Sequence, residues 1–184
     1  MLYDYLLEST FTQSVSELNY FFAIGTLKQL VPEFQLPNKE LDKNYSNQYD
    51  LWLKWADFGI RVEVKASRAV DFERPDEPLY IKALSYDSQR SFDMNFQQIK
   101  TKCTDVFIWV AVWRDKIKYW VLNSKEVKEN DYYSKGQHRG NVGEGQLHLN
   151  QNNIFEFANY EVKSMEIKNA VIEAYKRQKK IKNY

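Results

Sequence analysis

Asp50, Glu63 and Lys65 are the residues of this chain whose types and spacing can do chemistry together. Glu63 and Lys65 stand two positions apart. On an extended strand such residues point the same way, roughly 7 Å apart, so both can converge on one reacting group while Asp50 approaches from a neighbouring strand. Two carboxylates and an ammonium then meet. Hard divalent cations such as Mg2+ favour carboxylate, carbonyl and water oxygens, and they polarise phosphoryl groups and lower the pKa of bound water. A lysine beside them orients that water or offsets charge that builds up in the transition state. The set suits hydrolysis of a phosphodiester.

The elements that must position these residues can be read from periodicity. In Tyr49–Trp55, Leu51, Leu53 and Trp55 share one face and Asp50, Trp52 and Lys54 the other, which predicts a strand. Asp57-Phe58-Gly59 supplies a turn, and Ile60–Lys65 alternates strictly, with Arg61, Glu63 and Lys65 opposite Ile60, Val62 and Val64. The two strands are expected to form a hairpin. Ser14-Val-Ser-Glu17 has the form of a capping box and opens a helix over about residues 14 to 31, ended by Pro32. Phe92, Phe96, Ile99 and Cys103 recur at helical spacing and predict a second helix. The continuous apolar run from Val106 to Trp113 predicts a strand covered on both faces, turning at Arg114–Lys116 into Ile117–Leu122. A short helix near 124–129, short strands at 146–150 and 154–157, and a closing helix through Val171 and Tyr175 complete the outline.

Asp50, the twelve residues that follow it, and Glu63-Val64-Lys65 with Ala66-Ser67 resemble the catalytic motif of the PD-(D/E)XK nuclease superfamily, to which most Type II restriction endonucleases belong. The order helix, acid-bearing hairpin, helix, buried strand is similar to the common core of that superfamily over about residues 14 to 122. Tyr49 stands where the motif's nominal proline would be. The resemblance implies an α/β fold with a restriction endonuclease-like core, a mixed central β-sheet flanked by helices. It implies an endonuclease of restriction type acting on double-stranded DNA. Asp50 and Glu63 would hold Mg2+, for which Mn2+ would substitute, the carbonyl of Val64 would add a ligand, and Lys65 would assist the attacking water. Glu17 has two readings: a metal ligand from the first helix, as the resemblance implies, or the N3 residue of the capping box.

DNA contacts are expected from Arg68, Arg74 and Arg90 in the connection after the active-site strand, and from Gln97, Gln98, Lys100 and Lys102 on the second helix. For the last four, an ordinary polar helix face is the alternative and is slightly favoured. Gln137-His138-Arg139-Gly140-Asn141, with Gly143 and Gly145, forms a glycine-rich loop that can enter a groove or clamp phosphates through His138, Arg139 and Asn141. A plain hairpin tip is the alternative. No Gly-Lys-Ser/Thr follows it, so the loop is no P-loop.

Composition sets the outer bounds. The 184 residues, 43% of them hydrophobic and 16% aromatic, lie far from the signature of disorder and suggest one domain across the chain. Lys and Arg number 26 against 25 Asp and Glu, so no overall basic excess marks a nucleic-acid partner. Cys103 is the one cysteine, which excludes an internal disulfide and a cysteine-based zinc site. The apolar run at 106–113 is too short to span a membrane, and no cationic start of a signal peptide precedes Lys28, so a cytoplasmic protein is expected. A restriction-type core takes up roughly 150 residues and leaves little chain for target recognition. The expected assembly is a heterodimer in which this chain is the small cleavage subunit and a larger partner recognises the site, or otherwise a homodimer. A non-catalytic interaction domain on a nuclease fold, or a repair or recombination nuclease, is the alternative.

Overall fold

A computed structural model describes residues 18–45, 47–136 and 143–180. Among the described residues the first element is a π-helical segment, Leu18–Ile24, which continues as α1, Gly25–Leu30, short of Pro32 as the sequence predicts; residues 14–17 of the expected helix lie outside the described residues. Strands β1 (Leu51–Trp55) and β2 (Phe58–Arg68) form the expected hairpin. Its turn differs from the expected Asp57–Gly59. Phe58 and Gly59 already pair with Trp55 and Lys54, leaving Ala56 and Asp57 as a two-residue loop with Ala56 at φ 49°. Gly59 is needed where it stands because the Trp52 ring lies across it. A Cβ added there would sit 1.7 Å from Trp52 Cζ2.

A mixed five-stranded sheet runs in the order β1-β2-β5-β6-β9, with β5 at Val106–Val112, β6 at Ile117–Asn123 and β9 at Glu161–Val162. β2 and β5 are parallel, and the other pairs are antiparallel. All seven residues of β5 are buried, as a strand covered on both faces requires. On one face, Val62, Val64, Val106 and Ile108 pack with Leu27 of α1 and with Ile167, Val171 and Ala174 of α4 (Ile167–Lys179). Between β6 and β9, α3 (Ser124–Lys128) starts at a capping box built by Asn123 and Glu126.

The other face is covered by a second sheet rather than by helices. Its order is β3-β4-β8-β7, with β3 at Val70–Asp71, β4 at Phe92–Ile99, β7 at Tyr133–Lys135 and β8 at Gly145–Asn150. Met94, Phe96, Leu147 and Leu149 from this sheet meet Phe107, Trp109 and Trp120 from the first. The predicted second helix is therefore a strand. Met94 and Phe96 point to the core at period 2, and a bulge at Gln97 and Gln98 returns Ile99 to the core, so 92, 96 and 99 imitate a helical stripe. Residues 154–157 likewise form no strand but part of a 3-10 helix, Ile154–Tyr160.

β2 passes through Ala69 directly into β3, with only the short α2 (Leu79–Lys82) between β3 and β4, so the two sheets meet at a corner beside the Glu63–Lys65 segment. Among the described residues, no helix is long and apolar enough to cross a membrane.

Candidate active site

β2 is longer than its hairpin partner. The β1 register ends at Leu51↔Val62, so the edge N–H groups of Val64 and Ala66 lie beyond it. Two side chains take the place of the missing strand. Asp50 Oδ2 accepts from the Val64 N–H at 2.8 Å, and Asn19 Oδ1, from the π-helical segment, accepts from the Ala66 N–H at 2.9 Å. Buried backbone donors demand such partners. On a strand, the N–H and C=O of one residue point to the same edge, so the Val64 carbonyl faces the side on which Asp50 lies.

Glu63 and Lys65 extend from the opposite face of β2 to Val62 and Val64, next to the corner between the sheets. Lys65 Nζ lies 2.6 Å from Glu63 Oε1, with both side chains almost buried. Burial pushes the Glu63 carboxyl up to about 7; the neighbouring Asp50 adds to the rise, while the Lys65 ammonium opposes it. Burial likewise raises Asp50, against the Val64 N–H and the Lys65 charge. Two desolvated carboxylates that each resist ionisation, balanced by one ammonium, form a site with room for more positive charge.

The three residues stand in a cleft of about 870 Å³ along the corner. Arg68, Gln97, Gln98 and Lys100 line it as well, so the structure brings together seven of the residues singled out from sequence. Arg68 is buried, and Lys100 pairs with Glu144 at 3.2 Å. Lys102 is exposed in the turn after β4 and does not line the cleft. Of the other two arginines, Arg74 pairs with Glu77 and Arg90 with the buried Asp71. Glu17, His138, Arg139 and Asn141 lie outside the described residues.

Sequence reasoning missed Asn19, Asn47, Gln48, Asp93 and Asn95, which also line the cleft. Asn19 follows Leu18 in an apparent amphipathic helix, and nothing in its spacing marks it as a partner for β2. Asp93 and Asn95 were legible only with β4 read as a strand, since alternation then places 93, 95 and 97 on the face opposite Met94 and Phe96. Asp93 holds His148 Nδ1 of β8 at 3.0 Å.

The residues able to hold a divalent cation are Asp50, through the oxygen not bonded to Val64, Glu63 and the Val64 carbonyl. All are hard oxygen donors. Among the described residues no group of three His, Cys, Asp or Glu side chains gathers. Mg2+ typically binds through one or two carboxylates and keeps several waters, so a two-carboxylate set fits it, whereas the absence of nitrogen and sulfur donors does not favour zinc. The same cleft offers a lysine to a water or a phosphoryl oxygen. No family model, curated protein or solved structure matches the chain.

Proposed function

We propose that this chain is a Mg2+-dependent endonuclease of restriction type that hydrolyses phosphodiester bonds of double-stranded DNA at the corner cleft. The observation that carries this reading is the convergence of Asp50, Glu63 and Lys65 in one cleft, with Glu63 6% exposed and held near neutrality at about pH 7. Solvated cross-strand pairs on an outer strand face would not be buried in this way. Bound by Asp50, Glu63 and the Val64 carbonyl, Mg2+ would polarise the phosphoryl group and acidify a water, and Mn2+ would substitute for it. Asp50 is held in place for that role by the Val64 N–H. Glu63 would give up its proton on taking up the cation. The Lys65 ammonium, at present paired with Glu63, turns to the attacking water or to a non-bridging oxygen and offsets the charge that builds there.

A restriction endonuclease-like core belongs to the same proposal. The hairpin, the parallel pairing of β2 with β5 and the helical segment packed on β2 support it. A strand, β4, stands where that core would carry its second helix. We assign target recognition largely to a larger partner subunit, with this chain as the small cleavage subunit of a heterodimer and a homodimer as the alternative assembly.

The test is incubation of supercoiled plasmid with Mg2+ or Mn2+, using the wild type and Glu63→Ala. Nicking by the wild type and none by the variant is expected. Equal behaviour of the two, with no metal-dependent heat in calorimetry for either, would leave a non-catalytic interaction domain. Specific double-strand cutting by the chain alone would overturn the heterodimer.

A further inference from the structure

Gln97 and Gln98 sit at an unusual place in β4. Phe96 pairs with Leu147 and Ile99 with Gly145, so the two glutamines together oppose the single residue Gln146. Regular alternation would turn one of them into the core. The bulge exposes both, and both line the cleft that holds Glu63 and Lys65. Gln98 adopts φ 55°, a left-handed conformation in which glycine or asparagine would be less strained. Bulges next to reactive sites re-aim side chains, and strain held in a non-glycine residue points to use of its side chain.

We propose that the Gln97–Gln98 bulge is a base-reading element that recognises adenine in the major groove beside the scissile phosphate. The inference rests on the nuclease reading above and adds a specificity to it. A carboxamide presents one donor and one acceptor side by side, the complement of adenine N7 and N6–H, and glutamine makes this pair bidentately. Phosphate oxygens are acceptors only, so half of a carboxamide is idle against them. The cleft already has cations for phosphates in Lys65, Arg68 and Lys100. Within the proposed heterodimer the larger subunit reads the distant part of the target, and this bulge reads the base pair next to the cut.

The experiment incubates the full chain with a pool of DNA duplexes of randomised sequence and Mn2+, then sequences the nicked ends. Wild type, Gln97→Ala and Gln98→Gly are compared, with urea unfolding of each. The wild type is expected to enrich adenine at one position beside the nick by roughly 5- to 150-fold, the discrimination of a bidentate pair. Gln97→Ala should lose that enrichment while still nicking. Gln98→Gly should weaken it although the fold is as stable as the wild type or more so, because the strain at φ 55° is relieved. Nicking with no base preference, or a uniform fall in rate across all sequences in Gln97→Ala, overturns the inference and leaves the nuclease standing. No nicking by the wild type together with no Mn2+-dependent heat in calorimetry, in a preparation whose unfolding is cooperative, overturns both.

Discussion

Lys65 Nζ and Glu63 Oε1 lie 2.6 Å apart in a nearly buried pair, yet Glu63 still holds its proton up to about pH 7. Burial and the Asp50 charge outweigh what the ammonium supplies. This sets the pH dependence of stability. In the unfolded chain Glu63 titrates near 4.5, so between pH 4.5 and about 7 the folded chain binds more protons than the unfolded chain. Stability is then greatest at the low end of that window and falls as pH rises through it, by about 3 kcal/mol from this group. Asp50, also raised, contributes with the same sign. Glu63→Gln, neutral throughout, should flatten most of this slope in urea unfolding with chelator present. An undiminished slope in the variant would show that another group titrates.

Cation binding must remove the same proton. Affinity for Mn2+ in calorimetry should therefore rise with pH up to about 7 and level off above it, with proton release measurable as a buffer-dependent heat below that value. Lys65→Ala separates the roles of the pair. Without the ammonium the Glu63 carboxyl is pushed higher still, so the affinity curve should shift to higher pH while binding at its plateau persists. Nicking should fall by about 10²–10³-fold even at that plateau, the usual cost of losing one group that stabilises the transition state. Unchanged nicking there would reject the role given to Lys65.

The hairpin and its two-residue spacing were legible because alternation over Leu51–Trp55 and Ile60–Lys65 is strict, and the buried β5 because its apolar run is uninterrupted. β4 was misread for a physical reason. Its bulge inserts one residue, and the sequence then shows Phe92, Phe96 and Ile99 at helical intervals although Met94, lying between them, belongs to the same core face. The cleft's far wall was lost with it, since a helix would have scattered Asp93, Asn95 and Gln97 over different faces. Asn19 could not be found at all. Its partner, the Ala66 N–H, is 47 residues away, and the need for it arises only because β1 ends before β2 does.

Gly59 gives the hairpin a separate test. Its Cβ position is occupied by the Trp52 indole, which packs over the strand on the face that also carries Glu63. Gly59→Ala must push that ring aside, and overpacking of this kind costs about 1–3 kcal/mol. The near-ultraviolet circular dichroism of the folded variant should change with the displaced ring, and its urea midpoint should fall. A variant as stable as the wild type would mean that Trp52 moves freely, and that the ring does not fix the face on which the candidate site is built.

Asn19 tests whether positioning of β2 matters to chemistry. Its Oδ1 gives the Ala66 N–H the acceptor that a neighbouring strand would give, one residue from Lys65. Asn19→Ala leaves that donor without its partner, which costs about 1–3 kcal/mol where the site stays closed to water. The carboxylates are held independently, Asp50 by the Val64 N–H, so metal affinity should change little. The position of Lys65 should loosen, because the backbone next to it is no longer anchored to the π-helical segment. The expected signature is a fall in the nicking rate at saturating Mn2+ larger than any fall in metal affinity. Asn19→Asp, which keeps the acceptor oxygen, should restore most of the stability. Equal losses in rate and in metal affinity for Asn19→Ala would show instead that the whole edge of β2 collapses, and that Asp50 and Asn19 act as one support.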